Sequence, residues 1–196
     1  MRFNKTSILL ILLTLFFPQL TFAHQEVGVA GGLISGFLHP IFGIDHLVAM
    51  VAVGIWGAQL GNPSLWVLPI CFPLVMALGG ALGVMGIDLP AVEIGIALSA
   101  IILGFMVAFA IRLPIWGAGL IVGVFAIFHG HAHGTELPAA ANPISYALGF
   151  VTATGLLHLA GILIGYINRW SSGAMALRFS GGVITLTGLY YLVPKI

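Results

Sequence analysis

The sequence predicts an all-α membrane protein, a six-transmembrane-helix bundle with a broken first helix that follows a cleavable signal peptide. Three observations carry the prediction. First, 60% of the 196 residues are hydrophobic and only 6% are charged. Ordinary soluble domains are about 25% charged, so these side chains are too few to cover a water-facing surface. Second, apolar runs of membrane-crossing length recur along the chain, separated by short breaks rich in Pro, Gly and Asn. Third, the first 23 residues have the order of an export signal. High hydrophobicity excludes disorder, and a net charge of +1 leaves no basic face for nucleic acid. The single cysteine, Cys71, has no intrachain disulfide partner.

Residues 1–23 carry a basic start at Arg2 and Lys5, an apolar stretch over 8–17, the helix-breaking Pro18 and then Thr21-Phe22-Ala23. Cleavage is expected after Ala23, so that the mature chain begins at His24; an uncleaved first helix is the alternative. Either way the following residues are delivered to the outer side of a membrane. Residues 24–196 are expected to form one transmembrane domain. The apolar piece 27–38 is too short to cross alone and reads as a re-entrant or tilted approach to the first span.

Spans are expected over 42–60, 65–85, 91–111, 115–128, 144–167 and 174–193, the fourth running on into its histidine-rich end. The breaks are Gly61 to Ser64, Asp88-Leu89-Pro90, Arg112-Leu113-Pro114, Pro138 with Asn142-Pro143, and Asn168 to Gly173. Backbone polar groups in hydrocarbon must pair within their own segment, so these spans are helices. Six spans with an outside start put Arg112, Arg169 and Arg178 in the cytoplasm and Glu26, Asp88, Glu136 and Lys195 outside, as the positive-inside rule asks. Glycines at four-residue spacing (28/32/36, 79/83, 119/123, 161/165) read as close helix contacts. Met50, Met76 and Met106 read as core filling.

A charge at bilayer depth costs at least about 2.5–3.5 kcal/mol, so the positions of the few ionisable groups are informative. The segment HPIFGIDH places His39, Asp45 and His46 together. On a straight helix His39 and His46 would stand about 10 Å apart along the axis; Pro40 and Gly43 supply a bend that brings them back. The segment FHGHAHGTE contributes His129, His131, His133 and Glu136. A helix puts His129 and His133 on one face, whereas an extended segment could aim all three histidines one way. Glu93 and His158 are scattered, with Thr152 and Thr154 near the latter; capping and interhelical hydrogen bonding are the plain alternatives for them. Imidazole with carboxylate suits borderline divalent ions such as nickel, cobalt or zinc.

These residues also carry a resemblance. HPIFGIDHLVAM followed by VAVGIWG, then FHGHAHGTE, then LLHLAG resembles the HupE/UreJ family of hydrogenase and urease accessory proteins, regarded as nickel or cobalt permeases. The resemblance implies metal roles for His39, Asp45, His46, His129, His133 and Glu136, and supports Glu93. It implies a secondary permease in the bacterial inner membrane, with the mature N-terminus periplasmic. The cargo is Ni2+ or Co2+, with no prosthetic group and no enzymatic step. His129, His133 and Glu136 would form an outer capture region, and His39, Asp45, His46 and Glu93 the selective site. The partners are the metal ion and the lipid bilayer, with self-assembly left open. Two other classes compete: an intramembrane zinc-dependent hydrolase using Glu93 or Glu136 as acid or base, and a haem protein with axial histidines.

Overall fold

The computed structural model describes residues 29–137 and 141–196; the signal peptide expected at 1–23 lies outside them, as do His24 and Gly28. Seven α-helices follow in order: α1 (Val29–Phe42), α2 (Ile44–Leu60), α3 (Ser64–Val84), α4 (Val92–Phe109), α5 (Ile115–Thr135), α6 (Pro143–Gly165) and α7 (Ser171–Leu192). A 3-10 turn at Tyr166–Arg169 extends α6, and another at Val193–Lys195 ends α7. Among the described residues α3 to α7 are five helices long and apolar enough to cross a membrane, and the bent pair of α1 and α2 brings the number to six if it is counted as one span. The helical reading of FHGHAHGTE is the one observed, since α5 runs on to Thr135. Local sequence explains the boundaries. At α6, for example, the Asn142 side chain accepts the Ser145 N–H at 3.0 Å, with Pro143 in the first turn, where its missing donor costs nothing.

The expected break in the first span sits at a single residue. Pro40 is accommodated inside α1, and the helical hydrogen bond from the Gly43 N–H to the His39 carbonyl is still made at 3.0 Å. Gly43 then turns extended, φ −74° and ψ 100°, and its own carbonyl opens α2 by accepting the Leu47 N–H at 2.8 Å. Segments 32–42 and 44–60 consequently meet at 78°.

Helix pairs close through glycine. A Cβ on Gly130 would overlap the Met76 carbonyl, and one on Gly134 the Gly80 carbonyl, so α3 and α5 touch backbone to backbone along their C-terminal halves. The stretch of α5 bearing His129, His131 and His133 is thereby fixed against α3. Gly36 meets Tyr146 and Gly149 meets Leu33, seating α1 on the first half of α6. Gly54 and Gly161 seat α2 on its second half. The expectation that Gly119 and Gly123 pack a helix is corrected: neither has an atom within 4 Å of where a Cβ would stand. That stretch of α5 packs through Ala118 and Val122, both fully buried, and not through these glycines.

The two ends of the bundle differ in charge. At one end the Trp56 indole N–H donates to the Ile111 carbonyl at 2.9 Å and the Gln59 amide to the Val107 carbonyl at 3.1 Å, bringing the end of α2 to the Arg112 loop. The other end carries Glu93, Glu136 and Lys195. Between them Trp56, Phe72, Met50 and Met76 are fully buried, the two methionines filling core as expected.

Substituting Gly130→Val should destabilise the detergent-solubilised protein by on the order of 1–3 kcal/mol, through overpacking against backbone that cannot yield. Gly123→Val should leave the melting temperature unchanged. Equal effects of the two would contradict the α3–α5 contact.

Candidate metal centre

Three elements converge near the acidic end of the bundle. The last turn of α1 supplies His39, the first turn of α2 supplies Asp45 and His46, and the last two turns of α5 supply His129, His131 and His133, with Glu136 just beyond. The bend at Gly43 folds His39 back over His46, so their ring centroids stand 5.8 Å apart. His133 completes the group, 4.7 Å from the His39 ring and 4.9 Å from the His46 ring. One nitrogen from each of the three lies within 4.8 Å of the others. Nitrogens around a tetrahedral ion at about 2.1 Å are roughly 3.4 Å apart, so a small closure of the rings would complete three corners of a shell.

Hydrogen bonds decide which lone pairs are free. Asp45 Oδ1 accepts both the His46 backbone N–H at 2.9 Å and its Nδ1–H at 3.0 Å. That bond fixes the tautomer and leaves the lone pair on Nε2, a buried atom with no partner among the described residues. Glu136 Oε2 accepts His39 Nε2–H at 3.2 Å, leaving Nδ1 as the free nitrogen. The same bond holds the Glu136 carboxyl below the usual carboxylate range, so it is ionised at neutral pH. Ser99 Oγ donates its one proton to the Ile96 carbonyl at 2.6 Å and accepts His129 Nε2–H at 2.8 Å, which leaves His129 Nδ1 unpartnered.

His133 is 1% exposed, stacked on Phe150 at 4.7 Å, and bonded through neither nitrogen to any described residue. Nine buried side-chain nitrogen and oxygen atoms lack a partner among the described residues, and six of them are imidazole nitrogens. Each such orphan costs about 1–3 kcal/mol unless something else satisfies it. Chemically, the arrangement offers neutral nitrogen lone pairs to a borderline cation, with two carboxylates one bond further out to offset its charge.

The structure brings together His39, His46 and His133, with Asp45 and Glu136 as their hydrogen-bonding partners and His129 behind His46 at 4.7 Å between ring centroids. The two sequence clusters, expected as an outer capture region and a selective site, lie side by side, because the bend returns His39 to the end of α5. Glu93 is not brought to it. Its carboxylate is exposed and pairs with Lys195 at 3.1 Å, because the first turn of α4 lies at the surface against the end of α7. The residue of α4 that reaches the cluster is Ser99, almost two turns later. His131 faces away, its Nε2–H donating to the Ile87 carbonyl at 2.8 Å.

Sequence reasoning missed Ser99 and Tyr146. Tyr146 places a buried, unpartnered hydroxyl on a ring 6.4 Å from His39 and 6.5 Å from His133. Both were legible in principle as isolated polar groups within apolar spans. A cleft of about 300 Å3 between α3, α5 and α6 reaches His133 and Tyr146.

The chain matches the family model described as HupE / UreJ protein over residues 11–191. It is 43% identical over 194 residues to Protein HupE of Rhizobium leguminosarum bv. viciae, an alignment that spans 98% of this chain and all of that protein. No solved structure matches it.

Asp45→Asn should weaken Ni2+ binding to the detergent-solubilised protein about 10–100-fold, since an amide accepts the His46 Nδ1–H more weakly and brings no negative charge to offset the cation's. Glu93→Gln should bind as the unaltered chain does. A calorimetric titration showing the reverse order would overturn this assignment.

Proposed function

The chain belongs to the HupE/UreJ family, and from that membership together with the histidine cluster we propose that it is a secondary permease carrying Ni2+, or Co2+, inward across the bacterial inner membrane. Its role would be to supply metalloenzyme maturation such as that of hydrogenase or urease. The observation that carries the reading is the convergence of His39, His46 and His133, with unpartnered nitrogens, inside an apolar bundle. Imidazole ligands suit these ions, and the only cysteine of the chain, Cys71, cannot by itself build a thiolate site.

Orientation follows from charge. The end bearing Arg112 and Arg169 faces the cytoplasm by the positive-inside rule, so Glu136 and the cleft beside His133 face outward. Exposed and ionised, Glu136 attracts the cation and is bonded to His39, the most accessible of the three ligands. Asp45 and Glu136 supply negative charge near the ion without adding hard oxygen ligands to its shell, which keeps the site exchangeable.

The membrane potential is a sufficient source of energy. A divalent cation moving inward gains roughly 4.6 kcal/mol per 100 mV, enough for accumulation of order a thousandfold. No phosphate-binding GxxxxGK[ST] loop is present in the sequence, and its lysines are Lys5 and Lys195, near the two ends.

Reconstituted vesicles with an inside-negative potential should accumulate radioactive nickel or cobalt, and His133→Ala and Asp45→Asn should each lower the initial rate by about tenfold or more. Equal uptake by all three proteins would overturn the site. Metal that stays bound without uptake, together with lipid hydrolysis lost on Asp45→Ala, would favour the hydrolase reading.

Neutral imidazole binds metal and imidazolium does not, so uptake should fall as the pH is lowered through the histidine range. Undiminished uptake at pH 5, at constant driving force, would contradict a histidine shell.

A further inference from the structure

Below the outer trio lies a second set of buried, unpartnered polar atoms. His158, near the middle of α6, is 1% exposed, and Thr154, one turn earlier on the same face, is 0% exposed. Neither His158 Nε2 nor Thr154 Oγ1 has a hydrogen-bond partner among the described residues. The other His158 nitrogen is fully accounted for. Pro73 has no N–H, so the Pro69 carbonyl loses its helical donor, and His158 Nδ1–H fills the gap at 3.2 Å. That bond assigns the tautomer: Nε2 carries a lone pair, held in a fixed direction by a backbone acceptor, as the nitrogen of a metal-ligating histidine is.

This set connects to the outer one through His129. The His129 ring stands 4.7 Å from His46, and its unpartnered Nδ1 is a second lone pair fixed by a bond on the opposite nitrogen. The ring of Phe72 packs against both His129 and His158, with centroids 5.6 Å from the first and 5.3 Å from the second. Phe72 is itself fully buried on α3. One aromatic ring is therefore in contact with two histidines that each carry an unpartnered nitrogen. A structural account covers His158 Nδ1 but leaves His158 Nε2, Thr154 Oγ1 and His129 Nδ1 without a purpose.

We propose that His158 and Thr154 form an inner station for the transported divalent cation, which receives the ion from His129 when the Phe72 side chain moves aside. The inference rests on the permease reading for its direction, but the station itself is a binding claim. With one imidazole and one hydroxyl from the protein, against three imidazoles at the outer trio, the inner station binds more weakly. Weaker binding there lets the ion leave toward the cytoplasm, with the membrane potential offsetting the loss of ligands.

The test uses the full chain with Co2+, whose visible absorption reports nitrogen ligation. The informative variant is His158→Asn: its amide can still donate to the Pro69 carbonyl, but the Nε2 lone pair is gone. Uptake by vesicles should drop about tenfold, while Co2+ affinity at the outer trio and the melting temperature stay within about twofold and a few degrees of the unaltered protein. Unchanged uptake would overturn the proposal, and so would loss of outer-site affinity together with uptake, because His158 would then be purely structural.

A second arm does not depend on transport. With His39→Ala and His133→Ala disabling the outer trio, a weaker Co2+ site should remain, be lost on adding His158→Asn, and weaken severalfold on adding Thr154→Val. Absence of residual binding would overturn the inner station. If the unaltered chain takes up no metal at all, the permease reading fails, and this residual-binding arm still decides the station.

Discussion

An ionisable or polar group inside an apolar bundle must be satisfied by another group, because neither lipid nor hydrocarbon side chains can do so. Four interior histidines obey this constraint through a specific partner: Asp45 on His46, Ser99 on His129, the Ile87 carbonyl on His131, the Pro69 carbonyl on His158. Each of these histidines is held through one nitrogen and left bare at the other. His133 is the extreme case, bare at both. The pattern is that of ligands oriented by outer partners, and it makes the cluster a place where a cation would relieve a cost that the fold otherwise bears.

Holding rings this close requires backbones that are closer still. The glycine contacts of α3 with α5, and of α6 with both α1 and α2, position the three histidine-bearing segments to within an imidazole's reach. In lipid, where burial of apolar surface drives helix association weakly, such contacts are the main source of packing energy. The site is therefore a consequence of the glycine pattern as much as of the histidines. The bend at Gly43 adds the one feature that helix packing alone could not, since it returns His39 across the axis of the span that bears His46.

Much of this was legible in the residues. Apolar run length set the helices, and turn chemistry at Asn142-Pro143 and Gly61 set their ends. The cost of intramembrane charge marked His39, Asp45, His46, His133 and Glu136, all of which meet. Three features were not legible, each for a physical reason. That α1 tolerates Pro40 and breaks only at Gly43 depends on tertiary support from α6. Glu93 joins the metal group only through the resemblance, yet its depth is decided by where α4 begins, and there Lys195 answers it. Gly119 and Gly123 have the spacing of a helix contact, but spacing alone does not say which face of a helix meets a neighbour, and here Ala118 and Val122 are the buried residues.

X-ray absorption at the nickel edge of the Ni2+-loaded, detergent-solubilised protein tests the cluster most directly. Multiple scattering from three imidazoles is expected, falling to two in His133→Ala while the absorption edge stays that of divalent nickel. A shell of oxygen ligands alone, or an imidazole count indifferent to His133, would contradict a cation held by His39, His46 and His133.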